Sequence, residues 1–479
     1  MANTRGQDES VLERIVPNGL CAGCGMCAGL LPDVLRMRTD EYGQYVPEPA
    51  APDAKDWGRQ SLQVCPFADN EDNEDTIAAA LFADTEGIRH RPETGYYLQC
   101  FAGHVTSEEA RMAATSGGII TWLAGEFLAA GTVEAVACVG PAEQGPNLFE
   151  FRLVTDPAGL VACKKSRYYP VEVSQIIPKI KAAPGKVLFI GLPCFLKALH
   201  LAMKVDADLR DRIAGTVGLV CGHLKTKKYA AYLARHCGVR EDQIRTVDFR
   251  LKVPGRPANK YAFSVSLRNG GDDDDRREIL MQNVWAGSWS NNLFMLQACE
   301  CCDDVFAETA DVVVGDAWLG EYLKDHRGTS IVVCRSPQML DVLDKGRKDG
   351  QLALTEIPVE KVIQSQAGAI RQRRDGLQYR LHLAARKQQW RPRKRVAPSA
   401  GAGSWLFRRL QRLRIKLRAL SKEAFLAQEP SEGLDLFIRR LRPWVKMSES
   451  INLLRHAPTA LRRRLASLAR SRSKGEKSQ

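Results

Sequence analysis

Three cysteines in the stretch "CAGCGMCAGLLP", Cys21, Cys24 and Cys27, stand at the spacing C-x₂-C-x₂-C. A bacterial ferredoxin run would continue x₃-C-P, and Leu31 holds that place with Pro32 still behind it. In two-cluster ferredoxins the fourth cysteine of the run serves the other cluster, while the first three share theirs with a distant Cys-Pro. That pair is Cys65-Pro66 in "LQVCPF". Cys21, Cys24, Cys27 and Cys65 therefore read as the ligands of one 4Fe-4S cluster, with Gly23 and Gly25 letting the backbone wrap it. The competing reading is a zinc knuckle, although zinc sites more often use two separated C-x₂-C pairs.

Four further cysteines fall where a ligand could gather. Cys194, in "GLPCFLKAL", sits at a turn from a strand into a helix, where the helix N-terminus favours a thiolate. Cys221 follows the strand "GLV", and Cys299 and Cys302 form a C-x₂-C pair in "ACECCDD". Spacing leaves this set open between a second metal site and buried packing thiols. Cys301 reads as a bystander or a substitute ligand, and Cys100, Cys138, Cys163, Cys237 and Cys334 as packing residues. In "ATSGGIITWLAGEFL", Ser116, Gly117 and Gly118 precede a helix, which suits either a phosphate on the first turn or an ordinary capped helix. Lys165, Arg167 and Tyr168, in "KKSRYYP", are partners for a phosphate and a ring, or a solvated loop. His223 is a weak candidate proton donor, set against a structural role.

These residues need elements to hold them. "VEAVACVG", "KVLFIG", "TVGLVCG", "ADVVVGD" and "TSIVVCR" each predict a buried strand, and "GIITWLAGEFLAAG" and "KKYAAYLARHCG" predict helices ending at Gly. The fold class is α/β, a mixed sheet flanked by helices. The expected organisation is a small N-terminal ferredoxin-like module over 1–75, ending in the loop-like "DNEDNED", then domains over 93–185 and 186–385, then a basic helical extension over 386–479. Of the net charge of +13, residues 386–479 carry 25 Lys/Arg and 6 Asp/Glu, net +19, which leaves the preceding part at net −6. Within the extension, 391–404 reads as a basic linker, and Leu406, Leu410, Leu413, Leu417 and Leu420 line one side of an amphipathic basic helix. The polar start "MANTRGQDES" lacks the apolar core of a signal peptide and no run is long enough to span a membrane, which predicts a cytoplasmic protein. Fourteen cysteines in a reducing compartment point to metal ligation rather than disulfides.

The motifs C-x₂-C-G-x-C, "SGG" before a helix, "SRYYP", "GLPC", "GLVCGH" and C-x₂-C-x-D followed by "AETADVVVGDAW", in this order over about 21–335, resemble the family of the beta subunit of coenzyme F-420-reducing hydrogenase and its dehydrogenase relatives. The resemblance implies an iron–sulfur flavoprotein oxidoreductase with two 4Fe-4S clusters and FAD. It implies that Cys194, Cys221, Cys299 and Cys302 hold the second cluster, and that FAD lies at Ser116, Gly117 and Gly118. Ferredoxin or coenzyme F-420 would be the electron carrier and an organic substrate the other partner. The chain is more similar to bacterial members associated with surface-polysaccharide genes than to the chlorophyll-pathway reductases of the same family. Nothing in the family pattern matches 386–479, whose basic character suits an acidic protein partner, an anionic membrane at the inner face, or the chain's own acidic body. Nucleic acid is disfavoured, because the aromatic residues there are scattered among leucines, and a homo-oligomer stays open. The alternatives are an electron-transfer subunit of a larger complex, a reductase in surface-polysaccharide biosynthesis, and a zinc-bound scaffold.

Overall fold

The computed structural model describes residues 9–52, 58–268, 275–429 and 433–456. The polar start of the chain, 1–8, and the far end of the basic extension, 457–479, lie outside the described residues. At the centre is a mixed sheet of eight strands: β1 (Gln99–Val105), β2 (Ala135–Pro141), β3 (Phe149–Val154), β4 (Val187–Gly191), β5 (Ile213–Leu219), β6 (Val312–Asp316), β7 (Ser330–Cys334) and β8 (Leu352–Glu356). Their order is β8-β1-β7-β6-β5-β4-β2-β3. The middle of the sheet, β2-β4-β5-β6, is parallel, and the flanking pairs are antiparallel. The five strands expected from sequence all lie in it. β1 and the two edge strands, β3 and β8, are additional.

Strand periodicity divides the interior in two, because successive side chains point to opposite faces. Val187 and Phe189 of β4 enter one core and Leu188 and Ile190 the other; Val313 of β6 likewise opposes Val312 and Val314. One face is covered by α1 (Ile119–Ala129), through Ile119, Leu123, Ala124 and Phe127, and by the short α2 (Pro157–Cys163). The other is covered by α3 (Pro193–Val205), and beyond it, with α4 (Asp375–Arg386) packed on α5, by α5 (Trp405–Leu426) and α6 (Asp435–His456). The segment "DNEDNED" does not end in a loop. Asn73 accepts from the N–H groups of Asp75 and Thr76 and caps a helix over Glu74–Phe82.

The basic extension is built into the fold. Leu410, Leu413 and Leu417 are buried, and Leu406 and Leu420 are half-buried. Phe425 and Phe437, one from each long helix, meet Phe294 of the body with ring centroids 5.4 and 5.8 Å away. Ser421 accepts from the Phe294 N–H at 2.9 Å, and Arg418 pairs with Glu300 at 2.6 Å inside the protein. The leucine face of α5 is thus consumed by self-docking and is not presented to a membrane. Arginines and lysines remain exposed on the outer faces of both helices, among them Arg409, Arg412, Arg439 and Arg440. Among the described residues no helix is long and apolar enough to cross a membrane.

Burial of the Phe294, Phe425 and Phe437 rings is worth several kcal/mol, since truncating one such ring costs about 3–5 kcal/mol. A chain ending at Arg386 should therefore aggregate or lose its cooperative unfolding transition, and Phe437→Ala should lower the unfolding free energy by about 3–5 kcal/mol in urea titration. An unchanged midpoint for Phe437→Ala would show that the extension adds nothing to the fold.

Candidate functional site

The first cysteine set is held by a loop that only glycine permits. Gly23 and Gly25 have φ of 69° and 78°, and a Cβ on Gly23 would lie 2.8 Å from the Tyr45 carbonyl. The loop is tied to the body by the Val173 N–H, which donates to the Cys24 carbonyl at 2.9 Å. Cys21, Cys24, Cys27 and Cys65 lie within electrostatic reach of one another. Burial pushes all four thiols up, Cys24 to about 12 and Cys65 to about 11. Backbone amides oppose burial: Gly23 N–H donates to Cys21 Sγ at 3.3 Å, and Met26, Ala28 and the pair Phe67 and Ala68 donate to Cys24, Cys27 and Cys65.

Cys194, Cys221, Cys299 and Cys302 form a second gathering, from four separate places in the sheet's surroundings. Cys194 is the second residue of α3, whose first turn begins at Pro193. Cys221 lies just past β5, with its N–H on the Val305 carbonyl. Cys299 lies in the 3₁₀ turn Gln297–Cys301 and Cys302 caps it. Cys194 feels the charge of the other three and also of Cys24, so the two sets adjoin. Burial again raises these thiols, and the Leu224 N–H donates to Cys299 Sγ at 3.2 Å. Cys301 is turned elsewhere, toward Glu300, Arg380, Arg391 and Lys394.

Arg373, which spacing could not single out, closes the second set. Its fully buried guanidinium donates to the carbonyls of Cys299 (3.0 Å), Cys302 (3.2 Å) and Gly222 (2.6 Å), joining two loops. Burial works against its charge, and the four thiols of this set outweigh burial and keep it charged. Among the described residues no three His, Cys, Asp or Glu side chains converge as one metal ion requires. A cubane does not ask for that, because its thiolates bind separate corner irons. Two quartets of buried and half-buried soft sulfur donors, met by N–H groups aimed at sulfur, fit such a group chemically.

The extension reaches this centre. Residues 390–395 run across both sets as a strap rather than a free linker. The Arg393 N–H donates to Asp69, and Lys394 pairs with Asp303 at 3.0 Å, both side chains buried. Arg395 donates to Glu308 at 2.7 and 2.9 Å and to Asp75 at 2.9 Å. Asp69 and Asp75 follow Cys65, and Asp303 adjoins Cys302. Burial alone would raise the Asp303 carboxyl, but Lys394 and Arg395 hold it well below the usual range.

At the flavin candidates the geometry differs from a bare phosphate cradle. The Ser116 hydroxyl donates to the Thr329 carbonyl at 2.8 Å and the Gly117 N–H to Ser330 Oγ at 2.9 Å. A Cβ on Gly117 would lie 2.5 Å from the Gly103 carbonyl, so packing on β1 and β7 already demands glycine there. Gly118, at φ 84°, starts α1, whose first-turn N–H groups have no intrahelical acceptor. Lys165 pairs with Asp248 at 3.0 Å, Arg167 donates to the Lys164 carbonyl and covers the Phe149 ring, and the Tyr168 hydroxyl accepts from Arg250 at 3.3 Å. Two cations unnoticed in the sequence stand here: Arg250, paired with Asp316, and Lys252, which donates to the carbonyls of Arg111, Ser116 and Arg327. Burial, then Lys165, Arg111 and Arg250, push the Lys252 ammonium down to about 7. The cationic surroundings fit an anionic group near Ser116. Trp289 joins this region to the second cysteine set, with its ring 4.8 Å from Tyr168 and stacked 4.2 Å from His223. Burial, then Lys225, Arg373 and Arg414, hold His223 well below the usual imidazole range, so it stays neutral.

A buried-thiol α/β protein of this kind is defined further by comparison. The coenzyme F420 hydrogenase/dehydrogenase beta subunit family matches the chain in two parts, its N-terminal region over residues 100–178 and its C-terminal region over 185–360, together more than half of the chain. The chain belongs to the coenzyme F420 hydrogenase/dehydrogenase beta subunit family. A solved structure similar to it is a chain of the F420-reducing [NiFe] hydrogenase complex from Methanosarcina barkeri, determined with xenon derivatization. The two share 19% identity at a TM-score of 0.45, over 60% of this chain and 92% of that one. No curated protein matches the chain.

Removing one partner from a buried ion pair strands the other, at a cost of about 3–5 kcal/mol. Arg395→Met should therefore destabilise the protein by about that amount and increase proteolysis around Asp69–Asp75. A variant as stable as the parent in urea titration would mean that the strap merely rests on the surface.

Proposed function

We propose that the chain is an iron–sulfur flavoprotein of electron transfer, with one 4Fe-4S cluster on Cys21, Cys24, Cys27 and Cys65, a second on Cys194, Cys221, Cys299 and Cys302, and FAD near Ser116–Gly118 and Lys165–Tyr168. The observation that carries this is the meeting of two thiol quartets, with Cys24 and Cys194 within electrostatic reach. Clusters and a flavin, when bound, supply conversion between one-electron carriers and two-electron chemistry. The chain's own residues do the rest. Backbone N–H groups on the sulfurs and the Arg373 guanidinium stabilise negative charge in a site that burial keeps dry. The carboxylate-paired Lys165 and Arg250, and Lys252 on the Ser116 carbonyl, line the turn at Ser116 with basic side chains. Trp289 fills the space between those side chains and Cys221 and excludes water from it. Burial, then Lys225, Arg373 and Arg414, favour the neutral form of His223.

Ferredoxin or coenzyme F-420 is the proposed carrier and an organic substrate the other partner. The alternative is an electron-transfer subunit with no organic substrate of its own, which the beta-subunit description of the family favours. A binding assay on the intact protein against an acidic one-electron carrier, with and without the exposed arginines of α5 and α6, addresses the first partner directly.

Anaerobically prepared protein should hold about eight iron and eight sulfide per chain. Cys24→Ala should remove about half the iron and leave the flavin. Cys302→Ala should remove a cluster and slow flavin reduction by an artificial one-electron donor, whereas Cys301→Ala should be tolerated. Colourless protein containing only zinc would overturn the proposal, and bleaching by Cys301→Ala alone would overturn the ligand assignment.

A further inference from the structure

Two cysteines outside both quartets lie against each other. Cys138 points from the middle of β2 into the core beneath α1 and is buried. Cys163 is the last residue of α2, is half-buried, and packs on the same core. Gly140 explains their approach. It follows Cys138 by two residues and so lies on the same side of the strand. A Cβ there would stand 2.7 Å from Cys163 Sγ, so only glycine leaves the sulfur its place. The two sulfurs are near enough to influence each other's ionisation.

We propose that Cys138 and Cys163 are a modification site, a dithiol that hydroperoxides oxidise reversibly to a disulfide. The environments of the two sulfurs assign their roles. Cys163 is the half-buried member and Cys138 the buried one, so a peroxide reaches Cys163 first, and the Arg152 side chain converges with Cys163 Sγ over Gly140, where its charge favours the thiolate. Arg152 stands opposite Cys138 in the β2–β3 register. A half-exposed, thiolate-prone sulfur beside a second thiol is the arrangement of a peroxide-sensitive cysteine with its resolving partner.

The chemistry balances. The Cys163 thiolate attacks one peroxide oxygen and the O–O bond breaks; a sulfenic acid forms and water leaves, or an alcohol from an organic hydroperoxide. Cys138 sulfur then attacks the sulfenic sulfur, the S–S bond forms, the S–O bond breaks and a second water leaves. Two thiols and one peroxide become one disulfide and two waters, and a dithiol reductant reverses the change. The bond would fasten the end of α2 to β2. The next residues, Lys164–Tyr168, are the basic loop beside Ser116, and the Ser166 N–H already donates to Thr115 Oγ1 at 2.6 Å. This site stands independently of the metal and flavin assignments.

The test uses the full chain treated with hydrogen peroxide, alkylated and digested without reduction, with cross-linked peptides identified by mass spectrometry. A Cys138–Cys163 cross-link should form and disappear on addition of dithiothreitol. Cys163 should react at least about tenfold faster than Cys237, a half-buried thiol that burial raises to about 11. Cys138→Ser should leave Cys163 as a sulfenic acid trapped by dimedone, and Cys163→Ser should give no cross-link. The eight quartet cysteines are read from their own peptides, so oxidative loss of a metal centre is scored separately. Cys163 reacting no faster than Cys237 in the parent protein, or advancing to sulfinic acid without any cross-link, would overturn the proposal.

Discussion

A thiolate inside a protein needs nearby positive charge or hydrogen-bond donors, and this chain gathers eight buried and half-buried cysteines in two adjoining quartets. Burial alone would leave all of them protonated and inert. The surrounding structure works against that tendency. Glycine-dependent turns aim amides at sulfur, the N-terminal turn of α3 begins one residue before Cys194, and the Arg373 guanidinium is sunk where the loops of Cys221, Cys299 and Cys302 come together. The parallel centre of the sheet supplies the rigidity. Cys194 and Cys221 follow the neighbouring strands β4 and β5, so strand pairing fixes how far apart their loops can stand.

The parts of this arrangement that were legible in the sequence share a property: they are locally encoded. Cysteine spacings survive without knowledge of the fold, and β4, β6 and β7 are buried on both faces, so they appear as uninterrupted apolar runs. β3 and β8 are edge strands, β3 half-buried along its middle and β8 exposing alternate residues, and β1 carries Gly103 and His104 in place of a branched run. Gly103 is there because the Ala353 carbonyl would lie 2.0 Å from any Cβ, a reason visible only once β8 has paired. Arg373, Arg250 and Lys252 were illegible for a related reason. Their partners lie far along the chain, and one buried arginine looks like any other until its acceptors are known.

Composition misled most in the extension. Residues 391–404 have the Pro, Gly and basic content of a linker, yet Lys394 and Arg395 are almost completely buried on carboxylates contributed by both ends of the body. Charge-rich sequence reads as solvated because an unpaired buried charge is so costly. Pairing removes that cost, and pairing is a tertiary fact. The leucine stripe of α5 was correctly read as one apolar face, and only the structure could say that Phe294 and Glu300 of the same chain occupy the region it covers.

The position of the strap in the chain has a consequence for assembly. It follows every cysteine of both quartets, so during synthesis the donors are all available before the closing segment emerges.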